Sequence, residues 1–136
     1  TKIPRLRRSR RHIGPIVLPA SFHTERRLAE VRRLCEMIDS IEGPLLVMGD
    51  FNFTERSEDY ALVARRLTDA YRVAGRGLGH TFPAWLTFAG RLPTPFPSVR
   101  LDHVWHSEHF RTVNARLGPT AGSDHHPVIV RLARRA

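Results

Sequence analysis

LLVMGDFN, residues 45–52, is the stretch of sequence that decides the fold. Its first four residues form a short continuous apolar run, which predicts a strand buried on both faces of a sheet. The run leads directly into Gly49, Asp50, Phe51 and Asn52, so polar side chains follow the end of this strand. Because α/β folds place their sites at the ends of buried strands, we expect chemistry at residues 50–52.

The segment before this strand has the pattern of an amphipathic helix. Thr24 is a suitable N-cap, and Glu42-Gly43-Pro44 ends the pattern. Between them, apolar residues recur at helical spacing, at Leu28, Val31, Leu34, Cys35, Ile38 and Ile41. Cys35 is the single cysteine and has no partner for a disulfide or a thiolate metal site, so we predict that it packs in the core.

The segments after the strand alternate between a helix and short strands. Ser57 offers a cap for a second helix from Glu58 to about Leu67, and the proline- and glycine-rich residues 79–98 are predicted to be a loop. Further strands are predicted at residues 101–105, 112–117 and 128–132. This order predicts an α/β (α+β) fold, with a mixed β-sheet and helices on one face.

Length and charge set limits on the kind of protein. The 136 residues are enough for one domain with a real core. Six of the 22 basic residues lie in the first eleven positions, and removing them from the net charge of +9 leaves +3. We therefore interpret residues 1–11 as a basic, solvated or disordered start, with nucleic-acid binding by this start as the alternative, and residues 12–136 as the folded part.

No segment has the composition of a membrane span or an export signal. The apolar runs are all shorter than the ~18 residues that a membrane-spanning helix needs. The basic start is followed by no long apolar stretch, so the second part of a secretory signal is missing. We expect a soluble, cytoplasmic protein.

Three pairs of polar residues could carry chemistry. They are Asp50 with Asn52, Asp102 with His103, and Asp124 with His125. A hard cation such as Mg²⁺ prefers carboxylate oxygens and keeps several waters. An imidazole that a carboxylate orients can donate to a phosphoryl oxygen, which makes Asp102 a candidate orienter for His125. Each pair taken alone is commonly an Asx turn or a cap, so the order of the three pairs is more informative than any one of them.

These motifs resemble those of a known family. LLVMGDFN (45–52), RLDHV (100–104) and GSDHHPV (122–128) resemble the last three signature motifs of the endonuclease/exonuclease/phosphatase superfamily, in the same order. Residues 81–84, Thr-Phe-Pro-Ala, resemble the segment that precedes the middle motif. The match spans residues 24–132 and implies half of the superfamily's four-layer α/β/β/α sandwich, namely its C-terminal half.

The resemblance implies a divalent-metal-dependent phosphoesterase or phosphodiesterase, which hydrolyses a phosphoester by metal-assisted attack of water. Asp50 would orient or deprotonate the water, and Asn52 would bind the scissile phosphate. Asp124 and Asp50 would be ligands of Mg²⁺ or Mn²⁺. His125 would contact the phosphate and stabilise the transition state, with Asp102 hydrogen-bonded behind it.

The remaining histidines are assigned by their distance from the motifs. The family has a further phosphate-contacting histidine before the long helix, and His12 resembles it more closely than the competitor His23. His103, His106 and His126 lie beside the motif positions, so we interpret them as structural or surface residues.

The resemblance covers only the second of the family's two halves. The first half brings an asparagine and a glutamate that is a principal metal ligand, and no position of this sequence matches either. A lone half would expose the apolar inner face of its sheet. We therefore expect a fragment, a truncated reading frame, or a half that needs a partner chain or the missing N-terminal half.

Two functions from different classes follow from these expectations. The first is the phosphoesterase, whose partner is a phosphoester substrate, with nucleic acid among the candidates. The alternative is a catalytically incomplete fragment that acts as a basic module and binds phosphate groups or nucleic acid.

Overall fold

The computed structural model describes residues 22–84, 86–88, 92–94 and 99–136. The α/β fold class that the sequence predicts is confirmed, and the described strands pair in antiparallel sheets. The helices are α1 (Phe22–Asp39), α2 (Glu58–Ala64) and α3 (Ala70–Ala74). The strands are β1 (Leu46–Asp50), β2 (Thr68–Asp69), β3 (Leu86–Phe88), β4 (Leu92–Thr94), β5 (Asp102–His106), β6 (Phe110–Leu117) and β7 (Val128–Arg134). In the part of the chain that is described, no helix is both long and apolar enough to cross a membrane.

Strand β5 is the middle strand of a three-stranded sheet with the order β1-β5-β2. β1 pairs with β5 in antiparallel register, which sets Asp50 directly opposite Asp102. β6 and β7 form a second antiparallel pair, and β3 and β4 form a small hairpin. A parallel bridge between Gly75 and Ala115 joins the end of α3 to β6.

The core lies between α1, α2 and one face of the β1–β5 pair. Its buried members are Val31, Cys35, Ile38, Phe53, Tyr60, Val63, Leu67 and Trp105. Val47 of β1 packs against this cluster, and Trp105 of β5 is fully buried in it. Burying one such large apolar side chain stabilises the fold by about 1.5–3 kcal/mol. The predicted core position of Cys35 is confirmed.

The other face of β1 is open. Leu46 is 40% exposed and Met48 is 63% exposed, so the prediction of a strand buried on both faces is wrong. Successive side chains of a strand point to opposite faces, and only the face of Val47 is covered by helices among the described residues. β1 is therefore buried on one side, and its other side carries exposed apolar side chains.

Short elements account for the other differences from the predicted structure. The second helix ends at Ala64 rather than near Leu67, and β2 and α3, which were not predicted, follow it. Asp69 caps α3, since its side chain accepts from the backbone N–H groups of Tyr71 and Arg72. The loop predicted at 79–98 contains β3 and β4. The basic start, residues 1–11, lies outside the described residues.

Candidate active site

His125 and Asp102 form the best-defined polar contact among the predicted site residues. His125 Nδ1 lies 2.7 Å from Asp102 Oδ2, and both side chains are about three-quarters buried. Because the carboxylate accepts from Nδ1–H, the imidazole is held in one orientation. Its Nε2 has no hydrogen-bond partner among the described residues, so this atom remains available to a ligand.

Carboxylates around His125 change its proton affinity. The hydrogen bond to Asp102 raises the pKa of His125 above its usual value, against an opposing effect of burial. The negative charges of Asp102, Asp50 and Asp124 raise it further. Three carboxylates from three separate motifs therefore lie close enough to favour the imidazolium form.

The turn after β1 positions Asp50 and Asn52. Asp50 Oδ1 accepts from the Asn52 backbone N–H at 2.9 Å, which makes an Asx turn. Asn52 has a φ of 53°, in the left-handed region that asparagine tolerates better than most residues. Phe51 N–H donates to Leu101 O at 2.9 Å, and Arg27 Nη1 donates to Asn52 O at 3.1 Å. The turn is thus tied to both β5 and α1, with the Asp50 and Asn52 side chains at the strand end.

Asp50 and Asp102 occupy directly opposed positions on β1 and β5. Side chains at such positions have Cβ atoms about 4.5–5.5 Å apart, and like charges there destabilise a sheet. A positive charge between the two carboxylates would relieve this repulsion. His125, whose pKa is raised by the charges of Asp50 and Asp102, lies near both carboxylates.

Thr81 joins the middle and last motifs, and sequence reasoning assigned it no role. Its buried Oγ1 accepts from the backbone N–H groups of Leu101 at 3.0 Å and Asp102 at 3.2 Å. Its carbonyl oxygen accepts from His126 N–H at 2.8 Å, and Ala84 N–H donates to Asp124 O at 2.7 Å. The signal that could have revealed this was the likeness of residues 81–84 to a family segment.

Phe82 packs beside the site. Its ring centroid lies 4.8 Å from that of His125, with a tilt of 40° between the rings. The aromatic ring covers one side of the imidazole and helps to exclude water from the hydrogen bond with Asp102.

A buried ionic network lies behind the site. Arg100 donates to Asp69 Oδ1 and Glu55 Oε1, both at 2.9 Å, and Tyr60 Oη donates to Asp69 Oδ2 at 2.9 Å. Burial alone would raise the pKa of Asp69, but its close contact with His103 and its hydrogen bond with Arg100 outweigh burial and hold that pKa well below its usual value. Burial raises the pKa of Tyr60 to about 12. The network anchors the start of β5, and with it Asp102.

The remaining motif histidines have structural contacts. His103 is buried, with Nε2 3.1 Å from Phe53 O, and His106 Nε2 lies 2.8 Å from Thr112 Oγ1. His126 Nδ1 lies 3.1 Å from Gly118 O. His12 lies outside the described residues, and His23 is placed only as part of the first turn of α1. The choice between His12 and His23 as a phosphate contact therefore stays a prediction.

The described residues hold no group of three or more His, Cys, Asp or Glu side chains arranged to bind a metal ion. Asp50 and Asp124 are both exposed carboxylates near His125. One or two carboxylates suffice for Mg²⁺ when substrate oxygens and water complete its shell. The donor set fits a hard divalent cation in kind, and it supplies fewer than three ligands from this part of the chain.

Most of the sequence matches the model of a known protein family. Residues 2–125 match the model of the Endonuclease/Exonuclease/phosphatase family. The chain belongs to this family. Nocturnin from Xenopus laevis is 34% identical over 99 residues, which cover 68% of this chain and 25% of nocturnin.

Solved structures of other proteins share the fold. The endonuclease/exonuclease/phosphatase from Bacteroides vulgatus has a TM-score of 0.65 at 23% identity, over 82% of this chain and 45% of that one. The human Nocturnin catalytic domain with bound sulfate anion has a TM-score of 0.54 at 22% identity, over 85% of this chain and 43% of that domain. The chain thus spans about a quarter of the nocturnin sequence and less than half of these two structures.

Proposed function

We propose that this chain carries a site for the metal-assisted hydrolysis of a phosphoester. The observation that carries the proposal is the 2.7 Å hydrogen bond between His125 and Asp102, formed beside Asp50 and Asp124. Membership of the Endonuclease/Exonuclease/phosphatase family supports this chemistry over other uses of a carboxylate–imidazole pair.

His125 binds and stabilises the phosphoryl group in this proposal. Asp102 holds Nδ1–H, so the charged ring presents Nε2–H to a non-bridging phosphate oxygen. A donor that is fixed before the reaction stabilises the growing negative charge of the transition state without further reorganisation. Asp102 acts through His125 and is a positioning residue.

Asp50 and Asn52 act on the attacking water and the phosphate. Oδ1 of Asp50 accepts the Asn52 backbone N–H within the turn. Oδ2 of Asp50 is therefore left to orient the water or to accept its proton. The Asn52 side chain is exposed at the strand end and can donate its amide N–H to a phosphate oxygen. The left-handed backbone of Asn52 keeps both residues at the same edge of the sheet.

Asp50 and Asp124 are the residues that would hold Mg²⁺ or Mn²⁺. Their carboxylates match the oxygen preference of these ions, and the opposed pair of Asp50 and Asp102 gains from a nearby positive charge. When bound, the cation supplies polarisation of the phosphoryl oxygen and offsets charge on the leaving oxygen.

The test is hydrolysis of an aryl phosphodiester and an aryl phosphomonoester by the purified chain, with Mg²⁺ or Mn²⁺ and with a chelator. We expect metal-dependent turnover that falls by at least about 100-fold in His125→Ala, since one preorganised donor is worth roughly that factor. His109→Ala is the matched control, because His109 contacts Ser107 away from the site, and it should retain the activity. The proposal fails if the folded chain shows no metal-dependent turnover, or if both variants hydrolyse the substrates equally well.

A further inference from the structure

An arginine surface lies on one face of the β6–β7 pair. Because side chains of a strand alternate between its two faces, Ile129, Arg131 and Ala133 of β7 share one face. Their partners across the ladder on β6 are Arg116, Asn114 and Arg111, in that order. The arginines at 111, 116 and 131 are all exposed. Arg131 on β7 lies diagonally across the ladder from both Arg111 and Arg116 on β6. Such diagonal neighbours lie about 7–8 Å apart, so the three charges form a row.

A cavity adds a fourth arginine at one end of the row. Its volume is about 630 Å³, and its lining includes Arg76, Asn114 and Arg116. The wall of this cavity is built by close packing around Tyr71, whose hydroxyl donates to Arg76 O at 2.6 Å. A Cβ on Gly79 would come within 2.2 Å of the Tyr71 ring, so only glycine fits there. Arg76 thus lies on a loop whose backbone is fixed beside β6.

This cavity is lined by positive side chains without a negative one, unlike three other cavities in the chain. Arg76 and Arg116 line it together with no carboxylate. Three other cavities all include at least one acidic residue, such as Glu55, Asp39 or Glu108. None of Arg76, Arg111, Arg116 and Arg131 forms an ion pair with another described residue. Their charges are therefore available to an anionic ligand.

We propose that Arg76, Arg111, Arg116 and Arg131 bind the phosphate backbone of single-stranded nucleic acid. A row of cations several ångströms apart matches a linear polyanion, because successive phosphates can contact successive arginines. A small anion in the cavity would use only Arg76 and Arg116. The guanidinium group binds phosphate oxygens through two parallel N–H donors, which favours phosphate over a diffuse negative surface.

The surrounding residues predict binding without sequence preference. The row is flanked by Val113, Ile129 and Asn114, and the described residues of this face include no aromatic ring on which a base could stack. Binding should then come from phosphate contacts and depend strongly on salt. Binding at this arginine surface does not require the proposed hydrolysis.

The test measures binding of a fluorescent single strand of about 15 thymidines, a length near the upper site size of single-strand binding folds. Fluorescence anisotropy would be recorded between about 50 and 200 mM salt in the presence of a chelator, so that a failure of hydrolysis cannot affect the result. The variant changes Arg76, Arg111, Arg116 and Arg131 to Gln. The control changes Arg32, Arg33, Arg56 and Arg65 to Gln, which removes the same charge from exposed positions elsewhere.

We expect the slope of log affinity against log salt concentration to become shallower by about 2 to 3 in the variant, since each lost phosphate contact removes about 0.7. The affinity of the variant should also drop by at least about tenfold. The control should keep the slope of the unaltered chain. Equal losses in both variants, or no loss in either, would overturn the proposal. So would equally effective competition by polyglutamate or by inorganic phosphate, which would assign the row to acidic proteins or to single anions.

Discussion

At the residue scale, the proton affinity of His125 reports directly on the candidate active site. The hydrogen bond to Asp102 raises the pKa of His125, so the folded chain binds its proton more tightly than the unfolded chain does. The stabilisation is fully present below the unfolded pKa of about 6.5 and is lost as the pH rises through the higher folded value. The predicted window of falling stability therefore begins near neutral pH.

Asp102→Asn should lower the pKa of His125 by removing the carboxylate that holds Nδ1–H. The measurement is an NMR titration of the His125 ring protons in both proteins, with urea unfolding at pH values on either side of the titration. The unaltered chain should lose stability between these values, and Asp102→Asn should lose less. An unchanged His125 titration in Asp102→Asn would show that the hydrogen bond does not set the charge of the ring.

At the element scale, the segment around Thr81 connects strands that carry separate motifs. Thr81→Val keeps the shape of the side chain and removes the acceptor for Leu101 and Asp102 N–H, leaving two partly buried donors unpaired. We expect a loss of about 1–3 kcal/mol in the free energy of unfolding and a lower pKa for His125, because Asp102 loses its fixed position.

Thr112→Val is the matched control for this change. Thr112 Oγ1 contacts His106 Nε2 at 2.8 Å, so the variant also loses a side-chain hydrogen bond, but away from His125. Urea unfolding and the His125 titration would be measured for both variants. If both variants lose stability and neither shifts the titration, Thr81 has a purely structural role.

The elements that the sequence predicts well are those with long or strong patterns. The predicted first helix has six apolar positions at helical spacing, and five of them lie within α1. Val31, Cys35 and Ile38 of α1 are buried as expected. β2 has two residues and α3 has five, which is too short for any period to be seen. Their positions depend on the cap at Asp69 and on the contact of that residue with Arg100, which is distant in sequence. Such tertiary contacts leave no local signal.

At the scale of the whole molecule, the candidate active site depends on sheet register. Each motif alone could be a turn, and the sequence could only suggest that Asp102 orients His125. Antiparallel pairing of β1 with β5 brings Asp50 opposite Asp102, and the backbone bonds of residues 81–84 hold the last motif beside them. The approach of the motifs could be expected from the family resemblance, whereas the supporting contacts of Thr81 could not be read from local sequence.

The same register leaves one face of β1 uncovered by the described residues. Met48 is 63% exposed, whereas the preceding residue, Val47, packs against the core. The same substitution should therefore change the free energy of unfolding by different amounts on the two sides of this strand. We expect Met48→Gln to alter the free energy of unfolding by less than about 0.5 kcal/mol, as at most surface positions. Val47→Gln should cost about 1–3 kcal/mol, because it places an amide among apolar side chains.

Urea unfolding measures both changes, and light scattering at rising protein concentration measures self-association. Met48→Gln should reduce self-association, since it removes apolar area from an exposed face, whereas Val47→Gln should not. A large loss of stability in Met48→Gln would mean that this face is covered in solution by a part of the chain outside the described residues or by another copy. Light scattering separates these two cases, because only association between copies depends on protein concentration.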